Sequence, residues 1–253
     1  MTQSYSEKFF KGLQGSGNSA EVIVPLTLSL FPSHSVVDIG CGVGAWLSQF
    51  ARCGVTDYLG VDGHYVPRHL LEIPPDRFIP HDLTKRIEFC RRFDLACSLE
   101  VAEHLPAECA EQFVSVLVKA APVVLFSAAI PGQGGINHVN EQWQSYWAEL
   151  FANHRYVGID CIRPKIFYND QVEWWYRQNI VVFCEPERCP PKHAPVKEKY
   201  YLDRIHPQLF SESMEGPKSG RESIRAAIGN LKLAGRAMIR ITVQNLQKIG
   251  YTG

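Results

Sequence analysis

Glu100, Glu103 and His104 stand at i, i+3 and i+4, and a further histidine, His138, follows the next apolar run. If the first three begin a helix, the spacing puts both carboxylates and the imidazole on one face. Two acids and two imidazoles can hold a divalent cation with positions left open for substrate oxygens. Glu100, Glu103, His104 and His138 are therefore a candidate metal set, for Mg or Mn. A plainer use is also open, in which Glu103 and His104 cap a helix and complement its dipole while Glu100 borders a ligand. His138 by itself suits general-base work, because an imidazole titrates near neutrality, and His138 and Glu100 are the candidate catalytic residues. Gly132, Gly134 and Gly135 make the loop before His138 pliable, as a segment that closes on substrate must be.

A second constellation lies upstream. Val36 and Val37 run into Asp38, and glycines follow at 40, 42 and 44 before the helical pattern of residues 45–50. This is a strand, a turn nearly free of side chains, and a helix, a layout that lets backbone N–H groups close on a ligand. Asp38 adds a carboxylate that a cationic or amine-bearing ligand favours. Gly40-x-Gly42-x-x-Ala45 also satisfies the dinucleotide fingerprint, so the turn alone leaves two kinds of nucleotide cofactor open. A second apolar run, 58–61, ends at Asp62, where an acid grips ribose hydroxyls in either case. A third, 78–80, precedes His81-Asp82-Leu83, and a fourth, 93–99, leads into Glu100.

The elements that must position these residues alternate. Strands are expected near 35–39, 57–62, 77–80, 93–99 and 122–129, with helices near 44–53, 85–91, 106–120 and 140–153. Such alternation implies right-handed crossovers and a parallel sheet, with ligands outside the carboxyl ends of its strands. Two further apolar runs, 156–162 and 179–184, are expected to close it. Ahead of the sheet, residues 12–18 read as a glycine-rich loop, and Asn18 with Glu21 fits a capping box for a helix running towards Phe31, stopped by Pro32 and kinked at Pro25. Trp143 and Trp147, at i and i+4, are expected on the buried face of the 140–153 helix. Residues 172–179 are aromatic on both faces of any regular element, so Trp174, Trp175 and Arg177 are candidate acceptor contacts.

Residues 36–44 resemble the Asp-x-Gly-x-Gly-x-Gly signature of class I S-adenosylmethionine (SAM) methyltransferases, and the acids at 62 and 82 and the 98–106 segment fall in that family's order. The resemblance implies an α/β, Rossmann-like fold with a seven-stranded, mostly parallel sheet, an antiparallel final strand, and helices on both faces. It implies SAM as cofactor, held by Asp38, Gly40, Cys41, Gly42, Gly44, Asp62, Gly63, Asp82, Leu83 and Leu99. The Glu-x-x-Glu-His run with a distal histidine is similar to that of methyltransferases modifying small-RNA 3′ ends, and the run itself also to ubiquinone-pathway O-methyltransferases. Val61-Asp62-Gly63, the 98–106 run, Pro131-Gly132-Gln133-Gly134-Gly135 and the 174–179 run resemble a bacterial O-methyltransferase-like branch associated with glycans and secondary metabolites. A sugar or metabolite hydroxyl is accordingly the expected acceptor. The alternatives are a carboxyl- or N-methyltransferase, a metal-dependent RNA-end 2′-O-methyltransferase, and a SAM-binding protein without catalysis.

The 253 residues, 45% hydrophobic, suit one core with an appendage. Formal net charge is zero, with no 18-residue apolar stretch, so neither nucleic acid nor a transmembrane segment is expected. Eight cysteines without a Cys-x-x-Cys pair, several inside apolar runs, fit a reduced cytoplasmic setting. Charge is uneven, however: from Pro191 onward eleven Lys/Arg face five Asp/Glu. The expected organisation is a helical lid at 1–34, a methyltransferase core at 35–188, and at 189–253 a proline-marked linker with a basic amphipathic helix. That helix would mediate a homodimer or peripheral contact.

Overall fold

The computed structural model describes residues 14–215. The basic helix expected at 220–249 lies outside the described residues. The chain forms α1 (Gln14–Leu30), β1 (Ser35–Ile39), α2 (Ala45–Arg52), β2 (Asp57–Asp62), β3 (Phe78–Pro80) and β4 (Leu95–Leu99). It continues with α3 (Ala110–Ala120), β5 (Val123–Ser127), α4 (Gln144–Asn153), β6 (Val157–Ile159), α5 (Arg163–Ile166), α6 (Trp174–Asn179), β7 (Val181–Cys184) and α7 (Pro207–Glu215).

Seven strands make one sheet in the order β3-β2-β1-β4-β5-β7-β6. The first five are parallel, and β7 runs antiparallel to both β5 and β6. The chain reverses its direction of travel across the sheet between β1 and β4, which opens a crevice at their carboxyl ends. Asp38 is paired there with Gly60 of β2 and Cys97 of β4. The central strands are buried on both faces, which is why they read as continuous apolar runs rather than alternating ones. One apolar layer places Ile23, Leu47 and Phe50 against Leu95, Leu125 and Val182. The other packs Val114, Leu117, Trp147 and Phe151 against Val37, Phe126 and Phe183, with Phe151 stacked on Phe183 at 4.0 Å.

Several expectations are corrected. Residues 85–91 form no helix: Ile87 and Phe89 reach the core from an i, i+2 spacing that no helix face provides. The glycine-rich run is already helical from Gln14, and Gly15 is a close-approach site, since a Cβ there would meet Glu173 Oε1 at 1.9 Å. The helix expected from 140 starts at Gln144, because the Val139 and Asn140 N–H groups donate to the Glu103 carbonyl instead (2.9 and 3.0 Å). Trp143 therefore precedes the helix and is 36% exposed, while Trp147 is core.

Residues 189–206 pack with the core, and the compact unit runs through His206, with residues from Pro207 forming a second. Arg163, buried and paired to Asp160 through two hydrogen bonds of 2.9 and 2.8 Å, donates to the carbonyls of Gln178 and Leu202. His206 N donates to Gln178 Oε1 at 2.8 Å. The proline-marked stretch is thus tied to the core at Val196, Leu202 and His206.

Candidate functional site

The turn after β1 builds the first half of the site. Gly40, Gly42 and Gly44 all have positive φ (92°, 54° and 90°), a region open to residues without a Cβ. Their neighbours separate their duties. A Cβ on Gly40 would stand 2.2 Å from Val101, and one on Gly44 2.8 Å from Ile73, so these two let the chain pack. A Cβ on Gly42 would meet nothing within 4 Å. Gly42 is where the turn opens a cradle that a side chain would fill.

Two acids border that cradle. Asp62 takes Gly42 N on one oxygen (2.7 Å), and Gly63 N and the Tyr65 hydroxyl on the other (2.6 and 2.7 Å). Asp38 is buried at the end of β1, and desolvation, with the Asp62 charge adding to it, lifts its carboxyl from 3.8 to about 8. A buried carboxylate so raised gains most from a cation beside it, so the site fits a ligand that brings positive charge. Asp82 is exposed and turned onto its own loop, accepting from Thr84 N and Oγ1 (3.1 and 2.7 Å). Tyr65 was not legible from the sequence; its signal is Gly63, where a Cβ would collide with the Tyr65 ring at 2.1 Å.

The second half forms beyond β4. Glu100 adopts φ +56°, outside any helix, and a 3-10 turn spans Ala102–His104. The single helical face expected for Glu100, Glu103 and His104 is therefore replaced by a tighter bend. Glu100 accepts from Asn179 Nδ2 (3.1 and 3.2 Å) and Gln133 Nε2 (3.1 Å), so both its oxygens are engaged. Glu103 turns inward. It is 0% exposed; the Glu103 and Ala129 backbone N–H groups and the Glu100 carboxyl lie beside its carboxylate, but none makes a well-formed hydrogen bond to either oxygen. Burial, then the neighbouring Glu100 charge, push the Glu103 carboxyl well up.

His104 and His138 meet edge to face at 4.8 Å. One ligating atom each from Glu103, His104 and His138 falls within 4.8 Å of the other two. Burial and the adjacent His138 lower His104 to about 4, so its ring is neutral at pH 7, the form that binds a metal or accepts a proton. The donor set, one buried carboxylate and two imidazoles, fits a divalent cation. Glu100, the fourth member expected, is outside this trio and belongs to an amide network with Asn179, Gln133 and Gln178.

The aromatic run is packed inward. Trp174, Tyr176 and Arg177 are buried, and Trp175 packs against the core. Arg177 pairs with Asp170 at 3.0 Å, and Tyr176 meets Trp46 edge to face and hydrogen-bonds Ser16 at 3.1 Å. Packing on several sides, including α1, accounts for aromatics on every face of a single-turn helix. Glu141, Asn179 and Gln133 were missed by sequence reasoning, since long-range amide and carboxylate pairings leave no local pattern.

The sheet order, the glycine cradle and the flanking acids together define a class I SAM-dependent methyltransferase. The chain belongs to the methyltransferase-domain family whose model matches residues 19–179. No curated protein matches it. Among solved structures it is similar to the methyltransferase domain of bacterial CtHen1, at 18% identity and TM-score 0.51, covering 66% of this chain and 98% of that one. It is also similar to a putative O-methyltransferase of Nostoc punctiforme PCC 73102, at 14% identity and TM-score 0.53, covering 70% and 59%. Human N-acetylserotonin methyltransferase in complex with SAM aligns at 13% identity and TM-score 0.50, covering 70% and 55%. These likenesses concern the fold.

Proposed function

We propose that this methyltransferase transfers the methyl group of SAM to a hydroxyl of a small-molecule acceptor such as a sugar, with Glu103, His104 and His138 handling the acceptor oxygen. The observation that carries the reading is the trio itself: a fully buried carboxylate without a well-formed hydrogen bond, beside two imidazoles, at the strand end next to the cofactor cradle. SAM, when bound, supplies an electrophilic methyl group, and a divalent cation held by the trio would make an acceptor hydroxyl more acidic. Asp38 would face the positive charge of SAM, Gly42 would admit it closely, and Asp62 would exchange the Tyr65 hydroxyl for those of the ribose. With no cation on its ring, His138 would take the acceptor proton itself, which an alcohol must lose and a carboxylate has already lost. The amide network around Glu100 holds the floor of this half of the site in one arrangement. The acidic balance before Pro191 supports a small molecule over nucleic acid.

The test is methyl transfer to hydroxyl and carboxylate acceptors by wild type and by Glu103→Gln and His138→Ala, with SAM affinity measured in parallel. On hydroxyl acceptors each variant should lose about 10²–10⁴-fold in turnover, with SAM affinity unchanged. Transfer to a carboxylate, merely weakened in His138→Ala, would replace the reading with carboxyl methylation. Transfer to an RNA 3′ end with steeply salt-dependent binding would move the acceptor to nucleic acid.

A further inference from the structure

His138 does not sit freely in its loop. Its Nδ1 lies 2.9 Å from Glu141 Oε1, and both side chains are mostly buried, at 12% and 20% exposure. The same Glu141 carboxylate accepts the Gly134 N–H on Oε1 (2.7 Å) and the Gly132 N–H on Oε2 (2.8 Å). One side chain therefore fixes the ring and two points of the backbone that leads to it. The far side of the ring rests on Gly135, where a Cβ would stand 2.3 Å from Nε2 and 2.4 Å from Cε1. Beyond the ring, the Val139 and Asn140 N–H groups both bond the carbonyl of Glu103, so the loop is registered to the carboxylate that His138 must meet.

We propose that Glu141 is the positioning residue for His138, holding the ring as the Nδ1–H tautomer with the lone pair on Nε2. An ionised carboxylate can only accept, so a neutral ring facing it carries its hydrogen on Nδ1. That leaves Nε2 as the atom that takes an acceptor proton or binds a cation, and Gly135 as the residue that leaves it room. The inference rests on the role given to His138 above and assigns how that role is built.

The tautomer can be read in the metal-free protein. Proton–nitrogen correlation spectra of histidine-labelled protein would be recorded for wild type, Glu141→Ala and Glu141→Gln, with His138 assigned by its absence in His138→Ala. Wild type should show Nδ1–H. Glu141→Ala should shift the ring towards Nε2–H, and the Gly132 and Gly134 amides should exchange faster while the rest of the spectrum stays folded. Glu141→Gln, which keeps an acceptor oxygen, should retain Nδ1–H. Manganese titrated into the same proteins should bind about 10–100-fold more weakly to Glu141→Ala than to wild type. An Nε2–H ring in wild type, or an unchanged ring in Glu141→Ala, would overturn the proposal. Nδ1–H in wild type with no manganese uptake would sink the cation part of the proposed function and leave the Glu141 assignment standing.

Discussion

Asp38 is the residue whose chemistry depends most on where the fold puts it. In the unfolded chain its carboxyl ionises near 3.8, whereas burial at the end of β1 raises it to about 8. The cofactor-free folded protein therefore keeps a proton that the unfolded chain has lost. That preference is fully present below about pH 4 and drains away as pH rises towards 8. Asp38 should therefore lower the stability of the cofactor-free protein between about pH 5 and pH 8, by at most about 1.4 kcal/mol per pH unit, read as a falling melting temperature. Asp38→Asn should make that slope shallower than in wild type, and saturating SAM should reduce it by placing a cation beside the ionised form. Identical pH profiles for wild type and Asp38→Asn would show that this carboxyl is ionised throughout.

Among the elements, the short α5 and α6 do the most to hold the site together. Arg163, at the start of α5, satisfies Asp160, the Gln178 carbonyl at the end of α6 and the Leu202 carbonyl downstream, all in a nearly solvent-free position. Gln178 and Asn179 in turn face Gln133 and Glu100. Arg163→Met keeps the volume but leaves a carboxylate and two carbonyls without their donor. It should cost about 3–5 kcal/mol in denaturant unfolding, the range for breaking a buried pair from one side. A loss below about 1 kcal/mol would mean that water replaces the guanidinium without penalty.

For the molecule as a whole, the boundary of the folding unit lies later than the prolines suggest. Leu202 is buried, Val196 N donates to Gly158 O, and His206 N closes on Gln178. Chains ending at Arg188 and at His206 should therefore differ. The shorter one should melt about 5–10 °C lower, from the loss of one buried leucine and several matched hydrogen bonds. Equal melting temperatures would return the boundary to 188. Among the described residues no helix is long and apolar enough to cross a membrane.

The central strands, the glycine turn and the acids at 38 and 62 are legible in the chain itself. Their signals are local: an apolar run of strand length, a turn that needs positive φ, an acid at a fixed offset from it. The same locality explains the failures. Residues 85–91 offered helix-forming side chains without a helical face, and Trp143 lost its helix to the Glu103 carbonyl. Sequence spacing brought Glu103, His104 and His138 onto one list, yet only the return of the 131–141 loop onto Glu103 sets them within reach of one another. Glu100 was drawn away by Asn179 and Gln133, partners 79 and 33 positions distant. The sequence by itself determined the sheet and the cradle, since both follow from periodicity and backbone freedom. Which carboxylate is fully buried, and which imidazoles stand beside it, was decided by tertiary structure, because burial and long-range hydrogen bonds are properties of the folded chain alone.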